Sequence, residues 1–353
     1  MDLLDIRPMF IINNNKLNKG VINMNNFKKI GLTALAASLV SVSANAGELG
    51  VSGSASITAS GYSGAIGNSG ATAWTMGNSV NFAGSTELDN GMTVSMAFEL
   101  DQGTANNSSN GFDNHSVTVA SDALGTVKFS GHGGSSATSA LVGSAAGGMW
   151  DNFDGATKGL GVATIPDAIK SSGGGNNSFY YTTPAVMDGL TINASWNPAA
   201  SAGVNSMIGL GVTYTGVEGL SVSYASMDVE GHDSTTEGDE TALKASYAYG
   251  PLTVSYSSFD HDIGAATSAT NLELVSMAVS YTVSDELSLT YGTEESTAGT
   301  ASSVDAEYTG FTVAYTAGGM TITGKMIEGE NVNHANTAGD DVDYWELGAS
   351  FAF

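Results

Sequence analysis

The feature that most constrains the fold of this chain is a two-residue alternation of apolar side chains with small or polar ones. The segments LTINASW (190–196), LSVSYAS (220–226) and LTVSYSS (252–258) all show it. The pattern continues to the last residue in DYWELGASFAF, residues 343–353. Because successive side chains of a strand point to opposite faces, this pattern predicts strands with one apolar and one polar face. The chain is therefore predicted to be all-β.

The connections between these segments favour a barrel over a soluble sandwich. Tight turns such as LDNGM and VMDGL alternate with long polar loops such as EGHDSTTEGD. Short turns at one end, long loops at the other and an even strand count are typical of outer-membrane barrels. We predict a 16-stranded antiparallel transmembrane β-barrel with a polar interior too wide for side chains to fill. The predicted strands are 48–62, 72–88, 91–101, 112–121, 125–132, 176–184, 189–198, 204–215, 219–230, 239–249, 251–260, 271–283, 286–295, 303–316, 320–330 and 341–353.

The first 46 residues are predicted to lie outside this barrel. Residues 24–46, MNNFKKIGLTALAASLVSVSANA, contain two lysines, an apolar run and a closing Ala-Asn-Ala, which indicates a secretory signal peptide. Residues 1–23 add nothing that such a signal needs, and we interpret them as an upstream extension from a mis-called start. A single unusually long leader is the alternative. The barrel is then predicted to occupy residues 47–353.

Removal of this leader makes the chain strongly acidic. Five of the ten basic residues and two of the 35 acidic residues lie in residues 1–46, which leaves a formal net charge of −28. Nucleic acid is excluded as a partner, because phosphate binding needs clustered lysine or arginine. The chain has no cysteine, so its folding needs no disulfide formation.

Three features together resemble Gram-negative general porins. They are NNSFYYTTPAVMDGLTINASW (176–196), the loop at about 133–175 that precedes it, and the terminal Phe353 on an alternating strand. The resemblance implies that the long third loop folds into the lumen and narrows it. It also implies a homotrimer and recognition of Phe353 as an assembly signal by the outer-membrane assembly machinery. An ordered external lid is the alternative for the loop.

Charges in this loop and on the strands are the candidate pore residues. The loop has apolar residues such as Trp150 and Phe153, which an exposed loop would not need, and it offers acids to the lumen at Asp151, Asp154 and Asp167. General porins set such acids against basic wall residues, and the resemblance makes Lys128 the best wall candidate, with His132 near it. Lysine at mid-depth in lipid costs about 2–4 kcal/mol. We therefore predict that the strand lysines face inward, at Lys128, Lys244 and Lys325.

The barrel interior is predicted to be negative overall. General porins usually carry several wall arginines, whereas residues 47–353 contain none. Rings of acid in a pore favour cations. We therefore expect a cation-preferring channel for passive diffusion of ions and small hydrophilic solutes. The predicted lumen acids are Glu87, Glu99, Asp101, Glu273, Glu294 and Glu346.

No enzymatic or cofactor function is predicted. The segment DHDIG (260–264) begins like a calcium loop but lacks the later bidentate glutamate, although calcium could still bridge acidic loops at a trimer rim. The five histidines have no paired metal-ligand spacing, and no G-x-S-x-G segment occurs. The alternatives to a general channel are a substrate-specific channel, a non-conducting structural or adhesive surface barrel, and a secreted acidic β-solenoid.

Two local features of the strands complete the sequence-based predictions. Tyr308 and Phe311 are three residues apart, and we expect a β-bulge near Gly310 to bring both onto one face. Tyr344, with Trp345, Phe351 and Phe353, is expected in an aromatic belt on the outer face.

Overall fold

The computed structural model describes residues 49–64, 70–101, 112–141, 144–153, 176–198, 206–229, 238–263, 272–298, 304–332, 334 and 341–353. The predicted signal peptide and residues 1–23 lie outside the described residues. In these ranges no helix has the length and apolar character needed to cross a membrane.

Sixteen strands form in the described part of the chain, and each overlaps one of the sixteen predicted strands. The predicted and observed ends differ by three residues at most. The strands are β1 Leu49–Gly64, β2 Thr72–Glu87, β3 Thr93–Asp101, β4 His115–Ser121, β5 Gly125–His132, β6 Ser178–Thr182, β7 Leu190–Asn197, β8 Met207–Tyr214, β9 Leu220–Val229, β10 Gly238–Tyr249, β11 Leu252–Ile263, β12 Leu272–Thr282, β13 Leu287–Ala298, β14 Ala306–Ala317, β15 Met320–Glu330 and β16 Val342–Ala352.

The strands form one closed antiparallel barrel in sequence order, and β1 closes against β16. Their register runs from Ser54 opposite Ala352 to Gly64 opposite Val342. The pairing extends to the last residue, because the Gly53 N–H donates to the Phe353 carbonyl (2.7 Å) and the Phe353 N–H donates to the Gly53 carbonyl (3.0 Å). A closed sheet leaves no edge with unpaired backbone groups, so the predicted barrel is confirmed.

Contacts of the third loop identify the inner face of the barrel. Residues 137–141 and 144–153 meet side chains or glycines of eleven successive strands, from β7 through β16 to β1. Only the concave side of a barrel brings so many strands to one short segment. The loop therefore lies inside, and the strand residues that face it point into the lumen. Their alternate neighbours point outward.

The outer face has an apolar middle between two bands of aromatic residues. Near the long-loop end lie Trp74, Trp196 and Trp345, and Trp74 is 72% exposed. The second band lies near the short-turn end and includes Tyr214, Tyr249, Tyr281, Tyr315 and Phe351, all exposed. Aromatic bands flanking an apolar zone are typical of the two interfaces of a lipid bilayer.

Tyr344 is an exception to the predicted outer belt. It lies opposite Ile327 on the inner face and packs against Phe153 of the third loop. The prediction that Tyr344 faces outward is therefore wrong, while its neighbour Trp345 does face outward.

Outward-facing acids mark the long-loop end of strands β9–β16. They follow from the strand registers, which pair Asp228 with Asp239 and Asp260 with Glu273. Carboxylates are unfavourable in hydrocarbon, so this row marks the limit of the apolar layer. The row comprises Asp228, Asp239, Asp260, Asp262, Glu273, Glu295, Glu307, Glu328, Glu330 and Asp343.

Glu273 belongs to this outer row, so its prediction as a lumen acid is wrong. Its neighbours Leu272 and Leu274 are buried on the inner face, in a cluster beneath the third loop. Apolar residues point inward where the loop covers them, and there the apolar-outward rule gives the wrong face.

The predicted bulge near Gly310 is also absent, since β14 keeps one continuous register with both neighbours. Tyr308 faces the lumen and Phe311 faces outward. The three-residue spacing therefore places the two aromatic residues on opposite faces without any irregularity.

Separate lysine substitutions at two adjacent positions of β11, one on each face of the barrel, test the assigned faces. Tyr256 faces outward near mid-strand and Ser255 faces the lumen. We expect Tyr256→Lys to lower the free energy of unfolding by about 2–4 kcal/mol, because an ammonium group would enter hydrocarbon. Ser255→Lys should cost much less. Urea titration of the barrel folded into phospholipid vesicles measures both, and a larger loss for Ser255→Lys would contradict the assignment.

Candidate functional site: the lumen and its third loop

The described part of the third loop is attached to the inner wall by its own backbone N–H groups. A backbone N–H away from bulk water needs an acceptor, and inward-facing serines of the polar strand positions supply it. Three of these bonds lie on β7, β11 and β12. They run from Ala137 N–H to Ser195 Oγ (2.9 Å), from Ala145 N–H to Ser257 Oγ (2.8 Å) and from Ala146 N–H to Ser276 Oγ (2.9 Å).

Glu294 on β13 is the main polar anchor of the loop. Its carboxylate accepts hydrogen bonds from the Gly148 N–H (3.1 Å), the Trp150 N–H (3.0 Å) and the Ser144 hydroxyl. Only 2% of the residue is exposed. Loop donors thus surround the carboxylate, as a buried acid requires. Glu294 lies on the inner face as predicted, but it holds the loop and does not line open water.

Apolar packing fixes the next turn of the loop. A short 3-10 helix, Trp150–Phe153, follows the Glu294 contact, and Phe153 is fully buried. The Phe153 ring centre lies 5.2 Å from that of Tyr308 and 6.2 Å from that of Tyr344. The Tyr62 hydroxyl of β1 donates to the carbonyl of Asn152 at 2.6 Å. The lumen therefore contains a small hydrophobic core between loop and wall.

A second apolar cluster lies on the β10–β12 side of the same loop. Phe259 and Leu274 of the wall pack with Leu141 and Trp150 of the loop. Trp150 packs against both clusters, which together hold the segment against the wall. Trp150 and Phe153, which the sequence singled out, both pack inside the barrel.

A buried carboxylate–imidazole pair supports the beginning of the loop. Glu240 Oε1 lies 2.8 Å from His261 Nδ1, and the Thr138 hydroxyl donates to Glu240 Oε2 at 2.9 Å. Glu240 is fully buried. Sequence reasoning missed this pair, because Glu240 and His261 are neighbours only through the β10–β11 register. A correct strand alignment is the signal that could have found it.

The three predicted wall lysines lie on the inner face but are not brought together. Lys128 is exposed on β5, and Lys244 is half-buried on β10. Lys325 on β15 lies 3.1 Å from Glu346 Oε1. The lysines are five or six strands apart around a sixteen-stranded barrel, so no basic cluster of these three residues forms.

Acids predominate on strands β2–β6, which lie outside the contacts of the described loop residues 137–141 and 144–153 and which we call the uncovered wall. Glu87, Glu99 and Asp101 face the lumen from β2 and β3, and Lys128 is the basic strand residue on this wall in the described ranges. Glu99 accepts a hydrogen bond from Asn114 Nδ2 at 2.6 Å, and His132 Nδ1 lies 3.3 Å from Asn114 Oδ1.

Of the three predicted loop acids, Asp151 lies within the described residues. Asp151 lies in the 3-10 helix and is exposed. Asp154 and Asp167 lie outside the described residues. Within the described ranges, no group of three or more histidine, aspartate and glutamate side chains is placed to hold a metal ion. Calcium at the loops stays a prediction.

Comparisons with known proteins agree on one family and one architecture. A family model described as Gram-negative porin matches residues 31–316. A chain from a study of engineered proteins with asymmetric conductivity is 16% identical with a TM-score of 0.60. A five-substitution mutant of Rh. blastica porin is 15% identical with a TM-score of 0.59. Each comparison covers 87% of this chain and 100% of the other. These structural similarities show the fold. No curated protein sequence matches.

Amide exchange tests Glu294 as the loop anchor. Glu294→Gln replaces one acceptor oxygen with a donor, so the bond from either Gly148 or Trp150 is lost. We expect about ten- to hundredfold faster hydrogen–deuterium exchange in the peptide covering residues 144–153. The matched control is Glu295→Gln, the next residue on the outer face. Equal exchange rates in the wild type and both variants would contradict the assigned anchor.

Proposed function

The chain belongs to the Gram-negative porin family, and from this premise we propose that its lumen is a water-filled, cation-preferring channel for passive diffusion of ions and small hydrophilic solutes. As a porin it is located in the bacterial outer membrane. The observation that supports cation preference most directly is the charge of the uncovered wall. Strands β2–β6 present three carboxylates and one lysine to the lumen in the described ranges.

Other inward charges do not offset this excess. Lys325 is paired with Glu346, Glu240 is paired with His261, and Lys244 lies on β10, away from β2–β6. Glu294 is enclosed by loop donors. The wall carboxylates therefore dominate the field experienced by an ion that passes between the loop and β2–β6. Negative charge in a confined aqueous path raises the local cation concentration and lowers that of anions.

The third loop determines where solutes pass. Its described residues 137–141 and 144–153 cover the inner wall from β7 to β1, and we propose that the open path runs along β2–β6. Hydrogen bonds to Ser195, Ser257, Ser276 and Glu294 hold the segment in place. We propose that Asp151, with Asp154 and Asp167, forms the acidic side of the constriction and Lys128 the basic side. A single lysine gives a weaker transverse field than an arginine cluster would.

The proposed assembly is a homotrimer through the outer face of the first strands. Ala55 and Gly84 are small outward-facing residues there, while Ala59 faces outward but is only 6% exposed. Gly53 is already covered within the chain, because the Phe353 ring lies over it. Phe353 itself is 74% exposed at the short-turn end, as a signal read by the assembly machinery requires. Native mass spectrometry distinguishes a trimer, at three times the subunit mass, from a monomer.

Two alternatives make different predictions about conductance. A substrate-specific channel would show saturable block of ion current by one solute. A structural or adhesive barrel would show no conductance at all. No catalytic activity is proposed. The polar uncovered wall favours the general channel over both alternatives.

Selectivity measurements test the proposed function. Glu99→Gln combined with Asp101→Asn should lower the cation-to-anion permeability ratio roughly twofold, because the uncovered wall loses two of three carboxylates. Lys128→Gln should raise the ratio. Reversal potentials under a KCl gradient in planar bilayers give the values.

The control for these variants is Asp239→Asn, a neutralised acid of the outer row. It should leave selectivity unchanged, since its side chain does not face the lumen. Anion preference of the wild-type channel, or an equal effect of Asp239→Asn, would contradict the assignment.

A further inference from the structure

The third loop rests on three glycines of the inner wall, which we name the glycine seat: Gly292 on β13, Gly310 on β14 and Gly329 on β15. Gly292 and Gly310 are direct cross-strand partners. All three face the lumen on consecutive strands, where a side chain would point at the loop. The loop residues above them are Ala146, Met149 and Phe153, respectively.

Contact distances show that the loop lies against bare backbone at Gly292. A Cβ atom there would lie 2.5 Å from the Ala146 Cβ and 3.3 Å from its Cα. At Gly329 it would lie 2.7 Å from Val332 Cγ1, which is outside the loop, and 3.1 Å from the Phe153 ring. At Gly310 it would lie 2.5 Å from the Met149 sulfur, the flexible end of a side chain. Gly292 is therefore the site at which the loop has least freedom to adjust.

The adjacent anchors limit how the loop can respond to added volume. Ala146 N–H is bonded to Ser276 on β12, and Gly148 N–H is bonded to Glu294 on β13. These bonds flank the Gly292 contact on both sides and oppose sliding along the wall. A methyl group at Gly292 would therefore displace the loop away from the wall, toward the pore axis.

We propose that the glycine seat sets how far the third loop projects into the lumen, and thereby the width of the open path. Gly292 is the principal positioning residue, followed by Gly329 and then Gly310. The inference rests on the proposed channel function for its effect on conductance, but its structural part concerns only the loop and the wall.

Gly209 on β8 also approaches the loop, since a Cβ atom there would lie 3.1 Å from the Ala137 Cβ, whereas an inward-facing glycine away from the loop does not share this property. Gly348 on β16 also faces the lumen, and a Cβ atom there would lie 3.7 Å from the nearest atom, Thr58 Oγ1. This is an ordinary contact distance. Close packing against the loop thus distinguishes the seat from a glycine that has space for a side chain, and Gly348 supplies a matched control.

The test transfers one methyl group across the contact, from residue 146 of the loop to residue 292 of the wall. Gly292→Ala should reduce single-channel conductance, because the loop is raised into the path. The double variant Gly292→Ala with Ala146→Gly should return conductance to the wild-type value, because the total volume at the contact is restored. Gly348→Ala should leave conductance unchanged. Heat-modifiable electrophoretic mobility verifies that each variant forms a folded barrel.

A second readout does not depend on conduction. Amide exchange in the peptide covering residues 144–153 should become about tenfold faster in Gly292→Ala, since overpacking weakens the Ala146–Ser276 bond. It should return to the wild-type rate in the double variant. If exchange changes as expected in Gly292→Ala but the wild-type protein does not conduct, the result would support the glycine seat and reject the channel function.

Two results would overturn the proposal. One is wild-type exchange and conductance in Gly292→Ala. The other is a folded double variant that behaves like the single variant, because the Ala146 contact would then not be the cause.

Discussion

Closure of the sheet between β1 and β16 is the constraint on which the rest of the structure depends. In hydrocarbon an unpaired backbone N–H or carbonyl costs several kcal/mol, so the last strand must pair along its length with the first. The chain achieves this to its final residue, where Phe353 and Gly53 exchange two hydrogen bonds. The Trp345 and Phe353 rings cover Gly61 and Gly53 of β1 from the outer side, which packs the closing pair. Once the sheet is closed, one face must meet lipid and the other must enclose the lumen.

The described part of the third loop covers only part of the lumen wall, and the proposed channel depends on this asymmetry. From β7 to β1 the third loop covers the wall through serines, Glu294 and two apolar clusters. The wall on β2–β6 keeps polar and acidic side chains. A loop held by both directional bonds and packing has a defined height above the wall. In the proposed channel, the same contacts that stabilise the loop also set the cross-section left for solutes.

Much of the fold could be predicted from the sequence because a period of two is a strong local signal. All sixteen strands and the long third loop were recognised, since alternation and turn length need no tertiary information. The alternation does not show which face meets water, however. Beneath the loop the usual orientation is reversed, and apolar residues point inward. Leu272, Leu274, Tyr308 and Tyr344 point inward there because the loop supplies an apolar surface. Glu273 and Tyr344 were assigned to the wrong faces for this reason. Glu240 and His261 were missed because only strand register joins them.

Thiol labelling of single cysteines tests the assignment of faces most directly, because the chain has no cysteine of its own. On β15 and β16, Met326 and Leu347 point outward and Thr323 and Ser350 point inward. Each is replaced singly by cysteine in protein embedded in phospholipid vesicles, and reaction with a charged, water-soluble maleimide is measured. The account predicts reaction at positions 323 and 350 and none at 326 and 347. Reaction at 326 and 347 with protection at 323 and 350 would place the apolar faces inside and contradict it.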